Sequence, residues 1–403
     1  MGVFSSRFHV GARLWLALAG VTAPALIAAP AAAQPIAGQR APISIHWSQE
    51  AVGQLIDVIA SAKDEGLHPA DYRLAALRQA AAKEGPVLDA LASQAALDLA
   101  HDYFLGRVDD RSEMQWMIAR SPYEATGLAD RLREAVASGK VREFYAGLLP
   151  SDSRYLALRD ALANSADRAT RDRLRANMER WRWMPRSIEP DYLYVNVPSY
   201  RLQMFRDGVK LASYDVVVGA KDTPTPQLVS PTGSLVVNPA WYVPTSIVRK
   251  SNIRPGRGGY VWKATGDGGR RVVQLPGPRN ALGRIKFNLD NDQAIYLHDT
   301  NAKALFGRDD RALSHGCIRV KDIDQLAADL LSQGGGDESG FEEALAGAQT
   351  ATLRLPRAWP VYIVYFTADT DESGAVVSYG DPYGYDAKLL AVLDGKTIEM
   401  ASS

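Results

Sequence analysis

Cysteine is almost absent from this 403-residue chain, where Cys317 is the single example. No intramolecular disulfide can form, and no C-x-x-C pair exists to seed a structural zinc site, so the sulfur points to chemistry rather than to architecture. An excess of charge is missing as well. The 46 Lys and Arg residues balance 46 Asp and Glu, which leaves nucleic acid without an electrostatic reason to bind strongly. Beyond the first 33 residues no segment approaches the roughly 20 apolar residues of a membrane span, and no unit of about 20 to 50 residues repeats. With 46% apolar and 23% charged residues, wholesale disorder and collagen are excluded and a soluble globular chain is expected. At roughly 150 residues per domain, the length suggests two or three units, each with its own core.

Arg7 and Arg13 precede an uncharged, Leu/Ala-rich run from Leu14 to Ala29, and Ala31-Ala32-Ala33 stand before Gln34. Basic start, apolar middle and small-residue cleavage site are the order of a secretory signal over residues 1–33. A retained anchor is the alternative, against which Pro24 and the shortness of the run argue. Removing two Arg and no acids leaves 44 basic against 46 acidic residues, a charge of −2. The chain is expected to work outside the cytoplasm, with at most a transient membrane association before signal cleavage. A lone thiol in an oxidising compartment is a liability, and its presence invites a functional explanation.

From Trp47 to about Met184 apolar residues recur at helical spacing, as in Leu55, Ile56, Ile59 and Ala60, then Leu88, Leu91, Ala95 and Leu99. Helix starts are marked at Ser121-Pro122, at Asp152 before Tyr155, and at Asp167 before the segment that Pro185 stops. The Met and Trp residues closing that segment read as packing. After Pro190 the period becomes two. Tyr192, Tyr194 and Asn196 alternate with Leu193, Val195 and Val197, and Leu202–Arg206 and Val209–Val218 flank Asp207-Gly208, a hairpin signal. Further strands are expected at Ser234–Val237, Val272–Leu275, Ala294–Leu297, Thr352–Leu355 and Val361–Phe366. The Gly-, Arg- and Pro-rich stretch from Asn252 to Gly283 reads as a lid or binding loop. A helix over Ile323–Leu331 ends at Gly334-Gly335-Gly336. The fold class is therefore α+β, with a helical half over 34–185 and a β-rich half over 186–403.

The chemistry concentrates in Tyr296-Leu297-His298-Asp299-Thr300 and Ser314-His315-Gly316-Cys317-Ile318-Arg319. A thiol becomes a nucleophile when an imidazole takes its proton and backbone N–H groups receive the oxyanion. Gly316 allows the tight turn such donors need. His315 would share the face of Cys317 in an extended segment, while His298 could reach it from a neighbouring strand. Residue types alone leave that choice open. Zinc held by both His, Cys317 and Asp299 is the competing use, and an inert buried cysteine the other; no metal and no cofactor are expected.

His298, a gap of 15, then Ser314-His315-Gly316-Cys317 resembles the signature of the L,D-transpeptidase (YkuD-like) family, bacterial cysteine enzymes that cross-link peptidoglycan. The resemblance extends to Ile295 through Thr300, Pro276-Gly277-Pro278-Arg279-Asn280, Leu282-Gly283-Arg284, Lys286-Phe287-Asn288, Asn238-Pro239 with Trp241, and Glu179-Arg180-Trp181-Arg182-Trp183. Together these are similar to the long proteobacterial members with an N-terminal scaffold domain. The resemblance implies Cys317 as acylated nucleophile, His298 as base, the Asp299 carbonyl as its orienter, and an oxyanion hole around Gly316 and Cys317. Tyr296, Arg319, Trp241 and Ser314 would line the substrate cleft, with His315 in support. It further implies a mostly β, sandwich-like catalytic domain capped by a lid at about 252–271, a periplasmic location, peptidoglycan stem peptides as partners and carbapenem sensitivity; oligomeric state stays open.

Two features depart from the long relatives. Only Ser151–Arg175 separates the scaffold from the Glu-Arg-Trp-Arg-Trp segment, too little for their peptidoglycan-binding module, and the lid is shorter. The expected reaction joins a donor carbonyl to the amine of meso-diaminopimelate, giving 3-3 cross-links, or 1-3 cross-links if L-Ala is the donor. A carboxypeptidase or D-amino-acid exchange enzyme on the same fold, and a silent wall-binding protein, are the alternatives.

Overall fold

The computed structural model describes residues 45–120 and 126–396. The signal segment and the helix start at Ser121-Pro122 lie outside the described residues. The helical half comprises α1 (Gln49–Ser61), α2 (Leu74–Ala80), α3 (Pro86–Leu105), α4 (Leu128–Ala137), α5 (Val141–Ala146), α6 (Ser153–Asn164) and α7 (Arg168–Trp183). Side-chain caps set several starts: Ser48, Asp152 and Asp167 accept from the N–H groups of Ala51, Arg154 and Thr170. Leu55, Ile59, Leu88, Ala95 and Leu99 are all buried, as the spacing predicts.

The strands are β1 (Tyr192–Asn196), β2 (Arg201–Arg206), β3 (Val209–Gly219), β4 (Leu228–Val237) and β5 (Trp241–Tyr242). After α8 (Thr245–Lys250) come β6 (Tyr260–Ala264), β7 (Arg270–Gln274), β8 (Ile285–Phe287), β9 (Leu297–His298), β10 (Ala312–Ser314) and β11 (Ile318–Val320). The chain then runs through α9 (Ile323–Ser332), α10 (Glu338–Ala346), β12 (Ala351–Val364), β13 (Ala368–Thr370), β14 (Val376–Ser378) and α11 (Tyr385–Leu393). Neighbours in the main sheet run β10-β3-β11-β9-β8-β4-β12-β1-β2, and β2 pairs back onto β3. Eight strands, β3-β11-β9-β8-β4-β12-β1-β2, thus close into a ring through the β2–β3 pairing, with β10 attached alongside β3. At the β2–β3 turn Asp207 and Gly208 have φ of 50° and 75°, the positive pair that a tight hairpin needs.

Three expectations change. Thr352–Leu355 and Val361–Phe366 are not two strands. One strand, β12, runs through both against β4, with a register irregularity between Arg354 and Trp359 where Pro356 has no N–H to give the ladder. Ala294–Tyr296 is not strand either, because the side chain of Asn291 accepts from the Ile295 N–H and donates to its carbonyl, replacing ladder bonds and leaving Ala294 at φ 54°. The lid is not a loop: β5, β7 and β6 form a small antiparallel sheet of their own. The elements β5, α8, β6, β8, β10, β11, α10, β13, β14 and α11 are not signalled by the sequence pattern.

The helical half and the sheet share one continuous core, and α7 joins them. Trp181 packs on Phe366 at 5.0 Å, Arg180 donates to Asp386 at 2.6 Å, and Asn177 exchanges hydrogen bonds with Thr367. Tyr192 and Tyr194 are buried together with Leu193 and Val195, since α6 covers the outer face of β1 by placing the Arg154 guanidinium over the Tyr194 ring. Glu179 is sealed from solvent. Its carboxylate accepts from the N–H groups of Arg107 and Val108 and from Trp183 Nε1, and pairs with Arg182 at 2.8 Å. Removing one member of so buried a pair strands the other charge. Glu179→Ala is expected to lower the unfolding free energy by about 3–5 kcal/mol, read as a shift in the denaturant midpoint.

Candidate functional site

Cys317 sits in the bend between β10 and β11, and Gly316 makes that bend at φ 113°, a region an L side chain enters only with strain. The turn is held from within. Ser314 Oγ donates to the Cys317 carbonyl at 2.6 Å and accepts from the Gly316 N–H at 3.1 Å. Thr225 Oγ1 donates to the Gly316 carbonyl at 2.7 Å and accepts from the Gly219 N–H at 2.8 Å. The Tyr383 hydroxyl donates to the Gly219 carbonyl at 2.7 Å and accepts from the Thr225 N–H at 3.1 Å. Thr223 Oγ1 adds a bond to the Ser314 carbonyl. Ser314 therefore shapes the turn as well as bordering the cavity, and the Gly316 N–H is already engaged. Of the two main-chain donors expected near the thiol, the Cys317 N–H has no hydrogen-bond partner among the described residues.

His298 ends β9, where it lies in register with Lys286 of β8 on one side and with Arg319 of β11 on the other. Directly paired residues project to the same face, so the imidazole is flanked by two cations. The ring is buried, and its Nδ1 bonds the Asp299 carbonyl. With that carbonyl as acceptor, Nδ1 carries the hydrogen and Nε2 keeps its lone pair. The Asp299 carboxylate faces elsewhere. It accepts from the Arg284 N–H at 2.8 Å and pairs with Lys303, while a Cβ on Gly283 would come within 2.2 Å of it. Asp299 thus orients His298 by its main chain and holds the 283–284 turn by its side chain.

Cys317, His298, Tyr296, Trp241, Ser314, His315 and Arg319 line one cavity of about 450 Å³, and no carboxylate lines it among the described residues. His315 is exposed, because the bend breaks the alternation that would have kept it beside the thiol. Cys317 Sγ lies 3.6 Å from the Ala294 carbonyl. The two histidines, Cys317 and the turned-away Asp299 carboxylate do not converge on a common point for zinc. Lys286 and Thr225 were missed as site residues. The β8–β9 register brings Lys286 in, with Nζ 4.4 Å from the centre of the Tyr296 ring.

The electrostatics follow from this geometry. Burial pushes His298 down to about 3, and Arg319 and Lys286 push the same way. Burial pushes the Cys317 thiol up, against hydrogen bonding from Tyr296 and the charges of Lys286 and Arg319. Burial likewise raises Tyr296, with the Cys317 sulfur beside it. Arg319 Nε is buried and finds no hydrogen-bond partner among the described residues, leaving a donor for whatever enters. The resting pair is a neutral imidazole and a neutral thiol, with two cations placed to favour negative charge on sulfur or on an incoming group.

Comparison with known proteins places names beside this geometry. The L,D-transpeptidase catalytic-domain family matches residues 190–352, and a scaffold-domain family matches residues 43–162. A Haemophilus influenzae protein with a provisional L,D-transpeptidase name is 31% identical over 341 residues, covering 76% of this chain and 68% of that protein. Among solved structures, an L,D-transpeptidase from Mycobacterium smegmatis is 13% identical with a TM-score of 0.24, covering 43% of this chain and 58% of its own. The Mycobacterium tuberculosis L,D-transpeptidase 1 is also 13% identical, with a TM-score of 0.20 and coverage of 43% and 61%. At these TM-scores the family assignment rests on the sequence matches.

Two measurements probe the site. His298 binds protons less readily folded, near 3, than unfolded, near 6.5, so its contribution to stability is present above about pH 6.5 and is lost as the pH falls toward 3. Between pH 7 and 5 the wild type should lose about 2 kcal/mol more than His298→Gln, seen in paired urea titrations. Replacing Lys286 by Met removes a charge that favours the thiolate, so the pH profile of Cys317 alkylation by iodoacetamide should move to higher pH; an unmoved profile would remove Lys286 from the site.

Proposed function

Because the chain belongs to the L,D-transpeptidase family, we propose that it cross-links peptidoglycan stem peptides through a thioester on Cys317, working in the periplasm. The observation that carries this reading is a buried, neutral His298, its Nδ1 fixed by the Asp299 carbonyl, lining the same cavity as Cys317, to which no described residue brings a carboxylate. In the first half-reaction the sulfur attacks a stem-peptide carbonyl carbon while His298 Nε2 takes the thiol proton. Negative charge gathers on the carbonyl oxygen beside the Cys317 N–H. Collapse expels the amine of an amino acid or peptide, which receives the proton from His298. In the second, the side-chain amine of meso-diaminopimelate attacks the thioester, its proton passes to His298, and Cys317 is regenerated. One amide is exchanged for another, so no ATP is required.

A base held down near 3 is a weak one, and the proposed substrate supplies the remedy. Stem peptides carry free carboxylates. One seated beside Arg319 or Lys286 cancels the repulsion those cations exert on an imidazolium and raises the basicity of His298 when the reacting carbonyl arrives. Tyr296, Trp241 and Arg319 form the walls that hold the stem, and His315, being exposed, lies at the rim. The lid sheet keeps water from the thioester, which favours the amine over hydrolysis; where water enters, the same site acts as a carboxypeptidase.

The finer choice of bond is tested on the products. Purified muropeptides with tri-, tetra- and pentapeptide stems should yield dimers with the wild type and none with Cys317→Ala, while a carbapenem should add one covalent mass to the wild type alone. Turnover by Cys317→Ala would refute the reading. Sequencing the dimers separates 3-3 linkage from 1-3 linkage, because only an L-Ala donor makes the end of the donor stem irrelevant.

A further inference from the structure

The lid carries a charge out of proportion to the rest of the molecule. From Thr245 to Gln274 there are seven Lys or Arg residues and one acid, Asp267, a local charge of +6 in a chain whose formal total is zero. All seven cations are exposed. Lys250 pairs with Asp222 at 2.7 Å, and Asp267 lowers its own pKa chiefly through bonds to Thr265 and the Gly269 N–H, with Arg271 a lesser influence. No carboxylate lies within ion-pair distance of Arg254, Arg257, Lys263, Arg270 or Arg271 among the described residues.

The pairing inside this small sheet is itself informative. Lys263 and Arg271 stand directly opposite one another in the β6–β7 ladder, and like charges in that position destabilise a hairpin. The lid also leaves Trp262 55% exposed and Tyr242 48% exposed. Tyr242 connects the two regions: it lines the cavity that holds Cys317, and its hydroxyl accepts from Lys263 Nζ at 3.1 Å. A cationic track therefore leaves the carboxylate-free cavity at Tyr242 and continues through Lys263 to Arg271.

We propose that this lid surface is a docking site for an anionic wall polymer, the uncleaved peptidoglycan strand whose successive stem peptides present more carboxylates than ammonium groups. The inference rests on the function proposed above for the substrate and extends it from the one stem in the cavity to the neighbouring stems on the same strand. Carboxylates seated between Lys263 and Arg271 relieve a repulsion the free protein retains, and Trp262 offers a flat apolar face to sugar or peptide. The same field raises the local concentration of strand near the cavity. Continuity with a cavity lined by cations and no carboxylates favours the polymer that feeds that cavity over a lipid surface.

The test uses the mature full-length chain, purified sacculi and vesicles containing phosphatidylglycerol. Co-sedimentation of the wild type with sacculi should fall about tenfold as NaCl rises from about 25 to 300 mM, since exposed charges are screened over that range. Arg271→Glu sets opposite charges across the hairpin, so it should unfold at the same temperature as wild type or higher. Combined with Arg270→Glu it should nonetheless lower sacculus binding about tenfold and flatten the salt dependence. Unchanged sacculus binding by the double variant, binding indifferent to salt, or vesicle binding that equals sacculus binding would overturn the proposal. Failure of the cysteine chemistry is seen separately, as wild-type protein that sediments with sacculi in a salt-dependent way yet forms no dimers.

Discussion

The carboxylate of Glu179 fixes α7, the helix through which the helical half meets the sheet. An ionised group with no solvent is tolerable only when donors surround it, and this one takes two main-chain N–H groups from the segment after α3, an indole from its own helix and the Arg182 guanidinium. Those donors arrive from separated parts of the chain, so satisfying the charge fixes where α3 ends and how α7 is turned. The facing residues of α7 then meet Phe366, Thr367 and Asp386 beside the end of β12. The scaffold is more than an appended module. It covers β1 and braces the end of the strand on which half of the closed sheet is registered.

At the site the constraint is one of placement across strands. Lys286, His298 and Arg319 occupy one row of three neighbouring strands, and the sheet holds their spacing without any loop having to order. The arrangement disfavours the imidazolium and favours anions. Burial keeps the cysteine protonated at rest against those cations, so the site responds to the charge of what binds.

Much of this was legible in the sequence, and the limits have physical causes. Helix starts at Asp152 and Asp167 and the Asp207-Gly208 hairpin are local, written in a few residues whose side chains or φ angles decide the matter. Cys317 and its two candidate histidines were legible as a group because thiols are rare in this chain and the residues lie close together, whereas the preference for His298 over His315 came from the family resemblance. Lys286 was not, since its proximity to His298 depends on the antiparallel pairing of β8 with β9. Thr225 and Tyr383 were invisible for the same reason, being distant in the chain and ordinary in type. Of the lid strands only β7 was signalled, by Val272 to Leu275, because the glycines around β6 signal turns and conceal the strand between them. Gly316 shows the opposite failure. Its type was read correctly as permitting a tight turn, but the destination of its N–H, Ser314 Oγ, depends on a side-chain rotamer no pattern encodes.

The Tyr383 hydroxyl bridges Gly219 and Thr225, and Thr225 in turn holds the Gly316 carbonyl. The segment that finishes the bend at Cys317 therefore lies beyond β12, far from Cys317 in the chain. Ser314 and Thr223 brace the bend locally, whereas the Thr225 brace is itself positioned by a side chain from beyond β12. A proteolytic cut between β12 and Tyr383 would therefore loosen the bend while leaving the residues from Tyr296 to Arg319 intact.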